Sequence, residues 1–202
     1  MKTTLKKIAF YTLALLLGGC VPSLHPLFTD EEIIFDANLV GVWGEPNSKN
    51  FWEFQPVVNS KKYDVICTDD KGIGKFDGRL GKIGNKTYLD IYPDEPNVIG
   101  NDFYKSHLMG IHTFAEIDIS KNGLKLNFMN PDNTEKLLKA EPNSIKFEEV
   151  DNRIVLTAST KELQAFILKH SGNDKVKLFG NENDKDNTLL QRVKQQDSNS
   201  VK

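Results

Sequence analysis

From Leu39 to Phe128 apolar residues recur mainly at every second position, and short clusters of Gly, Asn, Asp and Lys separate the runs. Period two is strand spacing, because successive side chains of an extended chain point to opposite faces. LVGVWGEP (39–46) opens the series, and FWEFQPV (51–57) follows a turn-rich stretch at 47–50. In KYDVICTDD (62–70), Tyr63, Val65 and Cys67 share one face and Asp64, Ile66 and Thr68 the other, so neither face is wholly polar. GKFDGRLGKI (74–83) passes through Gly84-Asn85 into KTYLDIYPD (86–94), which is hairpin spacing. Phe76, Gly78 and Leu80 share a face there, and a glycine inside a strand marks the bend that a curved sheet needs. FAEIDIS (114–120) and LKLNFMN (124–130), split by Lys121-Asn122-Gly123, make the clearest hairpin. Ile117 and Ile119 oppose Leu124, Leu126 and Phe128, and Asn-Gly supplies the positive φ of a tight turn.

Helical signals come late. Asp132-Asn133-Thr134-Glu135 has capping-box spacing and starts a short segment with Leu137 and Leu138 that Pro142 stops. Ser159-Thr160-Lys161-Glu162 repeats the device; Leu163, Phe166 and Ile167 then form an apolar stripe, with His170 on the same face and Gly172 as a C-terminal cap. Between the two, DNRIVLTA (151–158) reads as a strand or connector, and TLLQRVK (188–194) as a last strand. Seven or eight strands joined by short connections pair antiparallel, and they bury an inner face by closing on themselves or by packing as two sheets. The expected fold is mainly β, an antiparallel barrel or strongly curved sheet with two short helices late in the chain.

The N-terminus has a different character. Lys2, Lys6 and Lys7 precede an apolar run from Ile8 to Leu17 that only Thr12 interrupts with a strongly polar group, which is a signal-peptide layout. A membrane-spanning helix needs roughly 20 apolar residues, about twice this run. Leu17-Gly18-Gly19-Cys20 resembles the lipobox of bacterial lipoproteins. That resemblance implies that Cys20 is diacylated on its thiol, that the leader is cut before it, and that the new N-terminus is acylated too. Two or three acyl chains give stable membrane attachment where one does not. Val21 stands where an aspartate tends to retain lipoproteins in the inner membrane of Gram-negative cells, so the periplasmic face of the outer membrane is expected there; in a Gram-positive cell it would be the outer face of the only membrane. The division expected is a leader at 1–19, a lipidated N-terminus and extended tether at 20–36 with His25 between prolines, one β-rich domain at 37–194, and a frayed tail at 195–202.

Three of the 26 basic residues lie in the leader, leaving 23 against 28 acidic ones, a net charge of −5. This balance argues against nucleic acid as a partner, and no polybasic patch offers a second membrane contact. Once Cys20 is acylated, Cys67 is the one cysteine left, so no disulfide forms within the mature chain, and it reads as a small apolar strand residue.

Gly41-Val42-Trp43 resembles the Gly-x-Trp motif of the lipocalin and calycin proteins. The resemblance implies a tryptophan that closes one barrel end beneath a basic residue of the last strand. Arg192 is the residue that matches, stacking its guanidinium on the indole. The chain is also similar to uncharacterised bacterial lipoproteins in SLHPLFT (23–29), NDFY (101–104) and IVLTASTKELQAFILKH (154–170), a likeness that implies no activity.

Signatures of catalysis are scarce. There is no Gly-x-Ser-x-Gly elbow, no phosphate-cradling glycine loop and no histidine pair at helical metal spacing. His107 and His112 converge on a metal only if Glu116 joins them; otherwise His112 starts a strand, hydrogen-bonded at a barrel rim, and His107 lies in a loop. Asp69-Asp70-Lys71-Gly72 lacks the alternating acids of a calcium loop and reads as a polar turn. No cofactor or metal is expected. In YPDEPNVIGNDFY (92–104), Tyr92, Phe103 and Tyr104 stand beside prolines and acids in a connection long enough to cover a barrel mouth or meet a partner. Trp52, Tyr63, Phe76 and Tyr88 either line an interior cavity or fill the core. The function expected is non-catalytic: a lipid-anchored envelope protein whose barrel binds a small hydrophobic ligand, with Trp52, Tyr63, Tyr92, Phe103, Tyr104, His107 and His112 as candidate contacts. The alternatives are an interaction or assembly factor with a filled barrel and an exposed apolar patch near 92–104, and, third, a hydrolase.

Overall fold

The computed structural model describes residues 20–46, 48–94, 100–172, 176–180 and 189–193; the expected leader at 1–19 and the expected tail at 195–202 lie outside them. The alternating stretch folds as β1 (Gly41–Gly44), β2 (Phe51–Pro56), β3 (Tyr63–Asp69), β4 (Gly72–Ile83), β5 (Lys86–Pro93), β6 (Thr113–Ser120) and β7 (Gly123–Phe128). Each pairs antiparallel with the next, and the late strand β10 (Gln191–Arg192) pairs with β1, giving an eight-stranded sheet. A bridge between Leu124 and Leu190 links β7 to the start of β10, so the sheet curls into a nearly closed barrel. At this seam Gly123 has φ +142°, and a Cβ there would run into the Leu190 carbonyl, so the position needs glycine for both its conformation and its neighbour. At the β3–β4 turn the Asp69 carboxylate accepts from the N–H groups of Lys71 and Gly72, a polar turn with no calcium-loop geometry.

Alternation sorts side chains into two layers. Inside the barrel, Phe54, Tyr63, Val65, Leu80, Leu89, Ile91, Ile117 and Leu124 are buried together. The outer layer covers one side of the sheet: Tyr88 and Phe114 pack beneath α2 (Pro131–Ala140) and α3 (Thr160–His170), with Leu137, Leu163, Phe166 and Ile167 facing them. Tyr88 is therefore not an interior residue. Its neighbours Leu89 and Ile91 take the inner face, and its ring lies 5.1 Å from Phe179 outside the barrel.

Several local expectations change. The 20–36 segment is not a detached tether: Val21, Ser23, Leu27, Phe28 and Ile33 are buried against the body. Its apolar residues are spaced irregularly because they fill gaps on an existing surface and do not belong to a repeating element. Helix α2 is capped two residues before the expected position, with Asn130 accepting from the Asn133 N–H and Pro131 in the first turn. Helix α3 has the expected start, where the Glu162 carboxylate accepts from the N–H and hydroxyl of Ser159. These bonds, with Lys146, hold Glu162 at about 2, below the usual carboxylate range. Its C-cap, however, is right-handed Ser171 and not Gly172. The 151–158 stretch supplies β9 (Arg153–Leu156), paired with β8 (Phe147–Val150) around a turn in which Asp151 and Asn152 take positive φ. A one-turn helix, α1 (Asp102–Lys105), is additional to the two expected; Asn101 caps it by accepting from the Tyr104 N–H.

Candidate functional site

The two barrel ends differ. At one, the Trp43 indole turns back along the chain and donates from Nε1 to the Leu39 carbonyl at 2.8 Å. The Arg192 guanidinium lies 4.4 Å from the centre of that ring. It also donates to the carbonyls of Val40 (2.9 Å) and Asn38 (2.6 Å), so the last strand is tied to the chain before β1. Cation–π contacts contribute about 0.5 to 2 kcal/mol and the packed stem adds to that, so Arg192→Ala should cost about 1 kcal/mol or somewhat more. An unchanged melting temperature with unchanged tryptophan emission would show that this lid does not hold the end shut.

At the other end, inward-facing side chains keep partial contact with solvent: Trp52 on β2, Cys67 on β3, Phe76 on β4, Leu126 and Phe128 on β7. The Trp52 and Phe128 rings sit 5.8 Å apart across the barrel. This is an apolar rim above a buried lower core. Burial, then the nearby Asp69 charge, push the Cys67 thiol up, away from the reactive thiolate.

Of the other candidates, Tyr63 lies deep and exchanges hydrogen bonds with the Asp36 backbone: its hydroxyl accepts from the N–H at 2.7 Å and donates to the carbonyl at 3.1 Å. It fills the core and does not line the rim. Tyr92 is on the outer face, its ring 4.6 Å from that of His112. His112 is buried and its Nδ1 is 2.8 Å from Asp90, whose second oxygen accepts from the Leu27 N–H, also at 2.8 Å. A carboxylate only accepts, so Nδ1 carries the proton. An acid on Nδ1 is the orienting half of a hydrolytic triad, yet the flanking hydroxyl, Ser23, is completely buried and donates to the His25 carbonyl. The arrangement is a staple between the N-terminal segment and the sheet. His107 lies beyond α1 with Nδ1 2.6 Å from the Phe103 carbonyl. Among the described residues no group of three His, Cys, Asp or Glu side chains stands close enough to hold a metal ion.

Two features were not foreseen as such. Cys20 lines a cleft of about 350 Å³ with Val21, Pro22, Pro131, Leu138, Phe147 and Ile154 as apolar walls. Burial raises its free thiol above the ordinary cysteine value. The exposed apolar surface expected around 92–104 continues further along the chain: Phe103 is 77% exposed, Tyr104 53% and Met109 72%, with Leu108 and Ile111 beside them. Only the aromatic half carried a signal in the sequence, since Leu108 and Met109 read equally well as buried residues. Compared with family models, with curated proteins and with solved structures, the chain gives no match in any of the three.

Proposed function

We propose that this chain is a lipid-anchored protein of the bacterial envelope that takes a small hydrophobic molecule at the rim lined by Trp52, Phe76 and Phe128. The observation that supports it most is the asymmetry of the barrel, with one end capped by Arg192 over Trp43 and apolar inner side chains reaching solvent at the other. Apolar side chains that face inward at a barrel mouth and stay partly solvated give a hydrophobic molecule surface to cover.

Titration with a fluorescent fatty acid is the test. Ligand at the rim should shift or quench the emission of Trp52, and Trp52→Phe should abolish that change, whereas Trp43 is shielded by Arg192 and should not respond. Native mass spectrometry that finds no retained ligand, together with no response in the titration, would reject the reading. Attachment has its own test. Cys20→Ser should leave the protein unlabelled by radioactive fatty acid and either released from membranes or retained as an uncleaved precursor; continued acyl labelling of that variant would refute the anchor. A protein-interaction role is the second reading, favoured by the exposed side chains of 103–111, and co-purification in mild detergent tests it.

A further inference from the structure

The apolar surface on 103–111 is continuous with the segment that begins at Cys20. The Ser23 N–H donates to the His112 carbonyl and the His112 N–H donates to the Ser23 carbonyl, each at 2.9 Å. The bridge is antiparallel, which sets Leu24 beside Ile111, and these are 39% and 37% exposed. Exposed apolar side chains thus follow one another along the chain from the bridge outward, Leu24 and Ile111 at the bridge and then Met109, Tyr104 and Phe103. Cys20 is three residues from the bridge, at most about 11 Å of extended chain. No slack lies between them, because Val21 and Ser23 are buried.

Strand order places the same features at one end. Connections alternate between the ends of an antiparallel barrel, so the β3–β4 turn, the 94–112 connection and the exit from β7 into α2 share the end where Trp52 and Phe128 reach solvent. The Cys20 cleft is walled by Pro131, just past that exit. An anchor at Cys20 therefore holds this end, and not the Arg192 end, toward the bilayer.

We propose that residues 103–111 form a second membrane contact, entering the interfacial layer of the leaflet that holds the acyl chains of Cys20 and setting the open barrel rim over the lipid. The inference rests on acylation of Cys20. Aromatic and long apolar side chains beside Lys105 and His107 have the mixed character that settles at the boundary of headgroups and acyl chains. A protein partner would need a surface of its own adjoining the anchor, whereas the lipid is already there.

The test uses the full chain carrying Phe103→Trp, isolated from membranes in mild detergent, with acylation of Cys20 verified by mass. It is reconstituted into phosphatidylcholine vesicles with or without bromine on the acyl chains, alongside the parent chain with its own two tryptophans. The added emission should be blue-shifted and fall about two-fold in brominated vesicles, since a side chain in the interface sits roughly 5 to 10 Å into the headgroup boundary. Met109→Trp should behave alike. Acylated, vesicle-bound protein with no quenching at either position overturns the inference and leaves the anchor intact. Absence of the acyl mass overturns the anchor and the inference together. A photoreactive residue at position 103 that captures one protein and no lipid in cells assigns the surface to a protein partner and also overturns it.

Discussion

Phe28→Ala should lower stability by about 3 to 5 kcal/mol, the usual cost of emptying a fully buried phenylalanine site. Phe28 is 1% exposed, and its ring occupies the outer surface of β4 where Gly81 has no side chain. A Cβ at Gly81 would overlap the ring, so residue and glycine are complementary, and the hole left by alanine would be lined by packed neighbours that cannot collapse into it. Urea unfolding followed by fluorescence measures the change. A midpoint equal to that of the parent chain would mean that 20–36 is a free linker after all. The expected loss instead makes this segment a strap, with no free spacer between Cys20 and the body.

Asp90→Ala should cost a similar amount, about 3 to 5 kcal/mol, because removing one partner of a buried pair strands the other. Here two donors are stranded, the Leu27 N–H and the protonated Nδ1 of His112. Each buried unsatisfied group costs roughly 1 to 3 kcal/mol. Asp90→Asn retains acceptor capacity on one oxygen, so its loss should be smaller, and this ordering separates a hydrogen-bonding role from mere volume. Equal losses for the two variants would remove the staple as an explanation for how the N-terminal strap is held.

The barrel strands were legible because each buries one face, so hydrophobicity follows the pleat. Ile117 and Ile119 opposite Leu126 and Leu124 needed nothing beyond alternation and an Asn-Gly turn. The strap was opaque for the converse reason: Val21, Leu27 and Phe28 are spaced by the pockets they fill and by no period of their own. Asp90 hid likewise, being a single acid in an otherwise apolar strand whose partners lie 63 and 22 residues away. Helix α2 was misplaced at its start because Asp132-Asn133-Thr134-Glu135 imitates a cap while Asn130-Pro131 provides one. Of the candidate site, Trp52 was legible as an inward residue, but Tyr63 and Tyr88 share its composition and differ only in depth and facing. A one-residue step along β5 puts Tyr88 outside the barrel and Leu89 inside, and no local property of tyrosine distinguishes the two.

The seam formed by Leu190, Gln191 and Arg192 has a bearing on how the chain reaches this shape. Arg192 donates to Val40 across 152 residues of sequence, so the contact that finishes the barrel is among the most distant in the molecule. A chain made from its N-terminus holds β1 and β7 with bare edges until that short strand arrives, and contacts of such long range form slowly. For that interval the two edges present unpaired N–H and C=O groups to any neighbouring copy. The newly made chain is thus most prone to aggregate in the interval before that strand pairs, and a chaperone that shields sheet edges would matter more to its yield than one that shields loops.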